Sequence, residues 1–185
     1  MKTCFLYGFL LAVAGSILIL VLYFLGFHSD PAKLAAGNWI GGVLGLGIGI
    51  SLTVLGVKAR RSEVPENVEF GYGRALGAGV LISLFASILS TIFNYVYAAF
   101  INPGLTEIRI QDAMGKLEAK GITGIQAENM EKGMRFMSSP GILALSNLIG
   151  GFIFGVILSL IIAAFLKRPP PGSTSVQVGT SSPHI

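Results

Sequence analysis

Charge is scarce in this chain. Asp, Glu, Lys and Arg make up 12% of its 185 residues, about half of the roughly 25% carried by an ordinary soluble domain. Cysteine is nearly absent. Cys4 stands alone, which excludes an intrachain disulfide and any CxxC or Cys/His metal motif. The histidines are His28 and His184, too few and too far apart for an HExxH zinc helix. No Ser/His/Asp or Cys/His constellation points to nucleophilic catalysis. The chain has 25 glycines but no GxxxxGK[ST] loop to cradle a phosphate. A net charge of +4 is spread beside apolar runs rather than gathered on a stripe, so no nucleic-acid footprint is present. Nothing in these residues calls for a cofactor.

What is present is hydrophobic length. Apolar runs at about 4–27, 39–57, 75–101 and 141–166 contain no Asp, Glu, Lys, Arg or Pro. Each meets or exceeds the roughly 18 residues that separate a membrane span from a buried core helix. The predicted class is therefore all-α, an integral membrane four-helix bundle. A Lys2 n-region and the Ala12-Val13-Ala14 triplet resemble a secretory signal, but the run continues well past the triplet, and a retained first span is expected.

Each run has a face of small residues. On the third, Gly79, Ser83, Ala86, Ser87, Ser90, Thr91, Asn94 and Ala98 fall within an arc of about 140° at 100° per residue. Leu81, Leu84, Phe85 and Ile88 take the other side. On the second run Gly41, Gly45 and Gly49 recur every fourth residue, and on the fourth Asn147, Gly151, Gly155 and Ser159 do the same. Such ladders let helix backbones approach closely in lipid. Gly41, Gly45, Gly49, Gly79, Ser83, Gly151 and Gly155 are the expected packing positions. Asn94 and Asn147 each lie about seven residues inside the same end of antiparallel spans, ~10 Å deep at 1.5 Å per residue. They are expected to meet and share a hydrogen bond or a water; the alternative is that each amide bonds its own helix.

Between the third and fourth runs, residues 102–139 read as an extramembrane hairpin of two amphipathic helices. The first carries Ile110, Ala113, Met114 and Leu117 on one stripe and ends at Gly121. Thr123-x-x-Gln126 offers a capping box for the second, whose stripe is Ile125, Ala127, Met130, Met134 and Met137. That stripe is expected to form the hairpin's buried seam or to rest on the membrane. His28, in a linker at 28–38, is read as an interfacial residue without a partner. The membrane domain is placed at 1–168, and the Pro-, Gly- and Ser-rich tail at 169–185 is expected to be disordered. Lys2, Lys58, Arg60, Arg61, Arg74, Lys167 and Arg168 share one side, which the positive-inside rule makes cytoplasmic.

The order GVKARR, FGYGRALGAGVLISLFASILS, AAFINPG, an amphipathic hairpin, SPGILAL and LSLIIAAFLKR resembles the membrane family known as domain of unknown function 4199, found mainly in Bacteroidota. The resemblance covers about residues 4–168, its more telling motifs being Phe-Gly-x-Gly-x-Ala and Ile-Asn-Pro. It implies a four-span fold in a bacterial inner membrane, with no catalytic residues to carry over. The functional reading is a non-enzymatic membrane protein acting as a structural or accessory component through helix contacts. Its partners are the lipid bilayer and a membrane protein or a second copy, not nucleic acid. The alternative is a small transporter, channel or lipid-handling protein for a neutral or amphipathic ligand.

Overall fold

The computed structural model describes residues 1–168; the expected disorder at 169–185 lies outside them. Among the described residues there are six α-helices and no strand: α1 (Lys2–Phe24), α2 (Pro31–Ser62), α3 (Tyr72–Val96), α4 (Leu105–Ala119), α5 (Gly124–Met137) and α6 (Pro140–Leu166). Four of them, α1, α2, α3 with its extension to Ile101, and α6, are long and apolar enough to cross a membrane.

The boundaries follow local chemistry, and several differ from the sequence expectation. α1 stops at Phe24 rather than running to residue 27. Gly26 takes φ +81°, and Phe27 N–H returns to Leu22 C=O at 3.0 Å, the closure of a Schellman turn. The 28–38 segment is not a linker, because α2 begins at Pro31. Asp30 caps it by accepting from Ala32 N–H at 2.9 Å, and proline suits the first helical position, where its missing N–H costs nothing. The helix continues to Ser62, so its 32 residues reach about 48 Å, well beyond a hydrocarbon core of about 30 Å. The capping box expected at the start of α5 does not form: Thr123 makes no side-chain cap bond. Gly124 enters at φ +66°, which departs from the right-handed first turn that the box requires.

α3 is the axis. A third (33%) of its most apolar stretch is buried, against 17% for each of the other three spans. α6 and α1 pack along it and α2 joins from the side, while α2 and α6 meet only sparsely. Large apolar side chains such as Ile17, Ile153 and Phe165 stay on the outside, 55%, 54% and 81% exposed; this is the surface that lipid covers.

The seam between α3 and α6 is reciprocal. A Cβ added at Gly79 would stand 2.6 Å from Ser159 Oγ, and one added at Gly155 would overlap the Ser83 side chain. Each serine turns its hydroxyl back onto its own helix, Ser83 to Gly79 C=O at 3.0 Å and Ser159 to Gly155 C=O at 2.7 Å. Thus glycine receives serine in both directions, and the hydroxyls are satisfied without reaching across. A core of Cys4, Val57, Phe70, Ala78, Ile82 and Ile162 closes this end of the bundle. There Arg168 acts as a latch. Its Nη2 lies 2.7–3.3 Å from the Val64, Pro65 and Val68 carbonyls, and its backbone N–H donates to Phe70 C=O at 2.8 Å.

Candidate functional site

The opposite end of the bundle is hollow. Tyr97–Ile101 forms a π-helical turn at the end of α3, closed by Asn102 N–H donating to Tyr97 C=O at 2.7 Å. One extra residue in the turn re-aims the side chains around it, a device common at functional sites. Here it assembles a buried polar node from three segments. Asn102 Nδ2 donates to His28 C=O and to the Tyr97 hydroxyl, both at 3.2 Å. A carbonyl only accepts, so the amide nitrogen must face it. The Tyr97 hydroxyl, receiving from Asn102, then donates to His28 Nδ1 at 2.7 Å, which leaves the imidazole proton on Nε2. His28 is therefore not a lone interfacial residue; it is 6% exposed and joins the α1–α2 turn to α3. Burial, and then the charge of Arg109, lower its pKa from the ordinary 6.5.

This node walls a chamber of about 310 Å³ beneath α4. Its polar lining comes from His28, Asn38, Asn94, Tyr97, Thr106 and Asn147, and among the described residues Arg109 is its only charged residue and no carboxylate lines it. Glu107, two residues away, is held by Arg135 at 2.7 and 3.1 Å, bonds that keep its carboxyl below the ordinary value. Asp112 is paired with Lys116, and Asp30 caps α2. Arg109 thus has no acidic partner among the described residues; crowding by the surrounding protein depresses its pKa, opposed only by Tyr97.

A second hollow of about 330 Å³ continues into the span region. Gly45, Gly49 and Thr53 of α2, Ser83, Ser87 and Ser90 of α3, and Gly151 and Gly155 of α6 line it, together with Leu11, Phe154 and Leu158. Asn94 and Asn147 line both hollows. The two asparagines therefore face a common space, yet Asn94 Nδ2 donates to Ser90 C=O of its own helix at 2.7 Å and no direct bond to Asn147 forms among the described residues. Thr91, expected on the same stripe, leaves its buried hydroxyl without a partner and does not line the crevice. At its lower end the crevice stops at the Ser83–Gly155 contact, above Val57, Ile82 and Ile162.

The glycines divide between packing and hollow. Gly79 and Gly155 lie in the tight seam; Gly41 would meet Leu22 at 3.0 Å, Gly45 would approach Leu18 at 4.0 Å and Gly151 would approach Ser87 at 3.8 Å, while Gly49 faces open space. Outside the crevice, the sparse α2–α6 contact leaves an apolar groove of about 590 Å³, and Phe154 and Leu158 line the groove and the crevice alike. The expected seam of α5 is not buried within the chain. Only Ala127 is covered, whereas Ile125, Met130 and Met137 are 79%, 42% and 57% exposed; α5 is tied to α4 by the Arg135–Glu107 ion pair instead. Among the described residues no cluster of His, Cys, Asp or Glu is arranged to hold a metal ion.

Sequence reasoning found Asn94, Asn147 and the small-residue ladders but missed Arg109, Tyr97, Asn102 and His28 as one site. The signal was present in the Asn102-Pro103 break, which ends the α3 extension, yet only the fold brings residues 28, 97 and 109 together. No curated protein and no solved structure matches the chain. A family model described as "Protein of unknown function (DUF4199)" matches residues 6–168, and the chain belongs to that family.

Proposed function

We propose that this is a non-enzymatic, multi-pass protein of the bacterial cytoplasmic membrane that holds a small amphipathic molecule in the crevice beneath α4. One observation carries the reading: a polar chamber adjoins a small-residue-lined hollow at Asn94 and Asn147. A mostly apolar pocket with a few convergent polar groups is the form of a small-molecule site. Phe154 and Leu158, which line this hollow and the groove between α2 and α6 alike, suit entry from lipid. The close Ser83–Gly155 contact, above buried Val57, Ile82 and Ile162, supports holding over conduction. The lining pairs no nucleophile with a base, since the His28 Nδ1 is already engaged by Tyr97, which supports binding over chemistry. The basic residues at the Met1 and Arg168 end support a reading with that end in the cytoplasm and α4 and α5 outside.

An accessory role remains compatible with this site. The exposed Ile125, Met130 and Met137 face on α5 suits contact with a membrane protein or the headgroup region.

The test is to fill the hollow. Gly49 has no neighbour within 4 Å of where a Cβ would stand, so Gly49→Phe occupies the crevice without displacing the tight seam. Dodecanol binding, counted as one-to-one adducts by native mass spectrometry from a nonionic detergent, is expected for the wild type and lost in the variant. Equal retention by both would sink the proposal.

A further inference from the structure

Resting on that reading, we infer that the occupant carries an anionic head, a carboxylate or a phosphate monoester, on a single unbranched chain, and that Arg109 reads the head. Among the described residues Arg109 is the one charged residue lining the upper chamber, and Glu107, Asp112 and Asp30 already serve other groups. A guanidinium presents a fork of donors that fits these two oxygen geometries. α4 adds to the preference, because its first-turn residues Leu105 and Thr106 also line the chamber and a helix N-terminus favours negative charge. A zwitterionic or cationic head would bring a positive group into a chamber with no carboxylate to meet it.

The crevice sets the chain. From Asn94 to Ser83 on α3 is eleven steps and from Asn147 to Gly155 on α6 is eight, which at 1.5 Å each give about 12–16 Å of depth. That accommodates about nine to twelve carbons at roughly 1.3 Å of advance per carbon, given a C–C bond near 1.5 Å. A hollow of about 330 Å³ between the two asparagines and the seam takes one such chain rather than the two of a bilayer phospholipid.

Three probes of one length test the inference: dodecanoate, dodecyl phosphate and dodecanol, counted as one-to-one adducts by native mass spectrometry from nonionic detergent. The wild type is expected to bind at least one of the anions about 10- to 100-fold more tightly than dodecanol, the range of a charge-assisted hydrogen bond. Arg109→Gln should cost the anions far more than dodecanol and remove most of the difference between them, and Arg109→Lys should restore part of it. Preference for dodecanoate indicates a fatty acid as the source, and preference for dodecyl phosphate indicates a single-chain phosphate monoester such as a lysophosphatidic acid. If Arg109→Gln binds the anions as the wild type does, or dodecanol binds as tightly as both, the anionic head is wrong while the crevice stands. If none of the three binds the wild type, both readings fall. Arg109 lines the chamber while its side chain stays partly exposed, and an unchanged melting temperature for Arg109→Gln checks that the fold survives.

Discussion

Tyr97 shows how much rests on one hydroxyl. It is 3% exposed, accepts from Asn102 and donates to His28, so Tyr97→Phe leaves two buried groups unsatisfied at once. The expected loss is about 1–3 kcal/mol, read as a lower unfolding midpoint in an SDS titration; a midpoint within error of the wild type would mean the node contributes nothing. His28 adds a pH dependence. Its folded pKa lies below 6.5, so the folded chain holds the imidazole neutral and the unfolded chain takes the proton more readily. The stability it contributes is complete above pH 6.5 and is lost as pH falls below that value towards the lower folded pKa. The charged group facing it is Arg109, which pushes in the same direction. Between about pH 7.5 and about pH 5.5 the wild-type melting temperature should fall more than that of His28→Gln; parallel curves would remove His28 as the cause. None of this was legible from His28 alone, because its partners lie 69 and 74 positions away. Asn94 was legible as a polar residue on a small face, but its choice of the Ser90 carbonyl was not, since a helix offers that acceptor locally whatever stands opposite.

At the scale of elements, the reciprocal Gly79–Ser159 and Gly155–Ser83 contacts make α3–α6 the tightest pairing. Sequence periodicity identified both ladders, because small residues every fourth position report a close helix face directly. Periodicity does not say which ladder meets which. The structure sets Gly79 against Ser159, while Gly49, on an equally regular ladder, meets nothing. Gly79→Ala should therefore cost about 1–3 kcal/mol by overpacking, while Ala at Gly47, which also has open space around it, should be neutral or mildly stabilising through helix propensity. Equal effects at the two positions, measured by the same SDS titration, would contradict the seam. Helix ends were the least legible feature. The apolar count alone could not extend α2 over the polar residues at either end. Arg168 was read only for its charge, yet three loop carbonyls converge on it. Arg168→Gln should loosen residues 63–71 and speed trypsin cleavage at Arg74; unchanged cleavage would deny the latch.

The whole molecule is a four-span bundle with a buried core around Phe70 and Ile82 at one end and a polar chamber at the other. The four spans and their small faces were readable because lipid imposes length and close packing on the sequence. The hollow was not, since a glycine face that packs and one that lines a cavity have the same pattern. Topology is checked with cysteines placed in the Cys4→Ser background. Gln111→Cys on α4 should react with a membrane-impermeant maleimide from outside intact cells, and Glu66→Cys should react only after permeabilisation; the reverse pattern would invert the bundle. The central claim, that the crevice and not the outer surface is where a ligand sits, is tested most directly by photolabelling with dodecanoate bearing a terminal diazirine. Peptide mapping should place the label on residues 45–53 and 151–155, with loss on Gly49→Phe. Label confined to the lipid-facing Ile17, Ile153 and Phe165, and indifferent to that substitution, would contradict it.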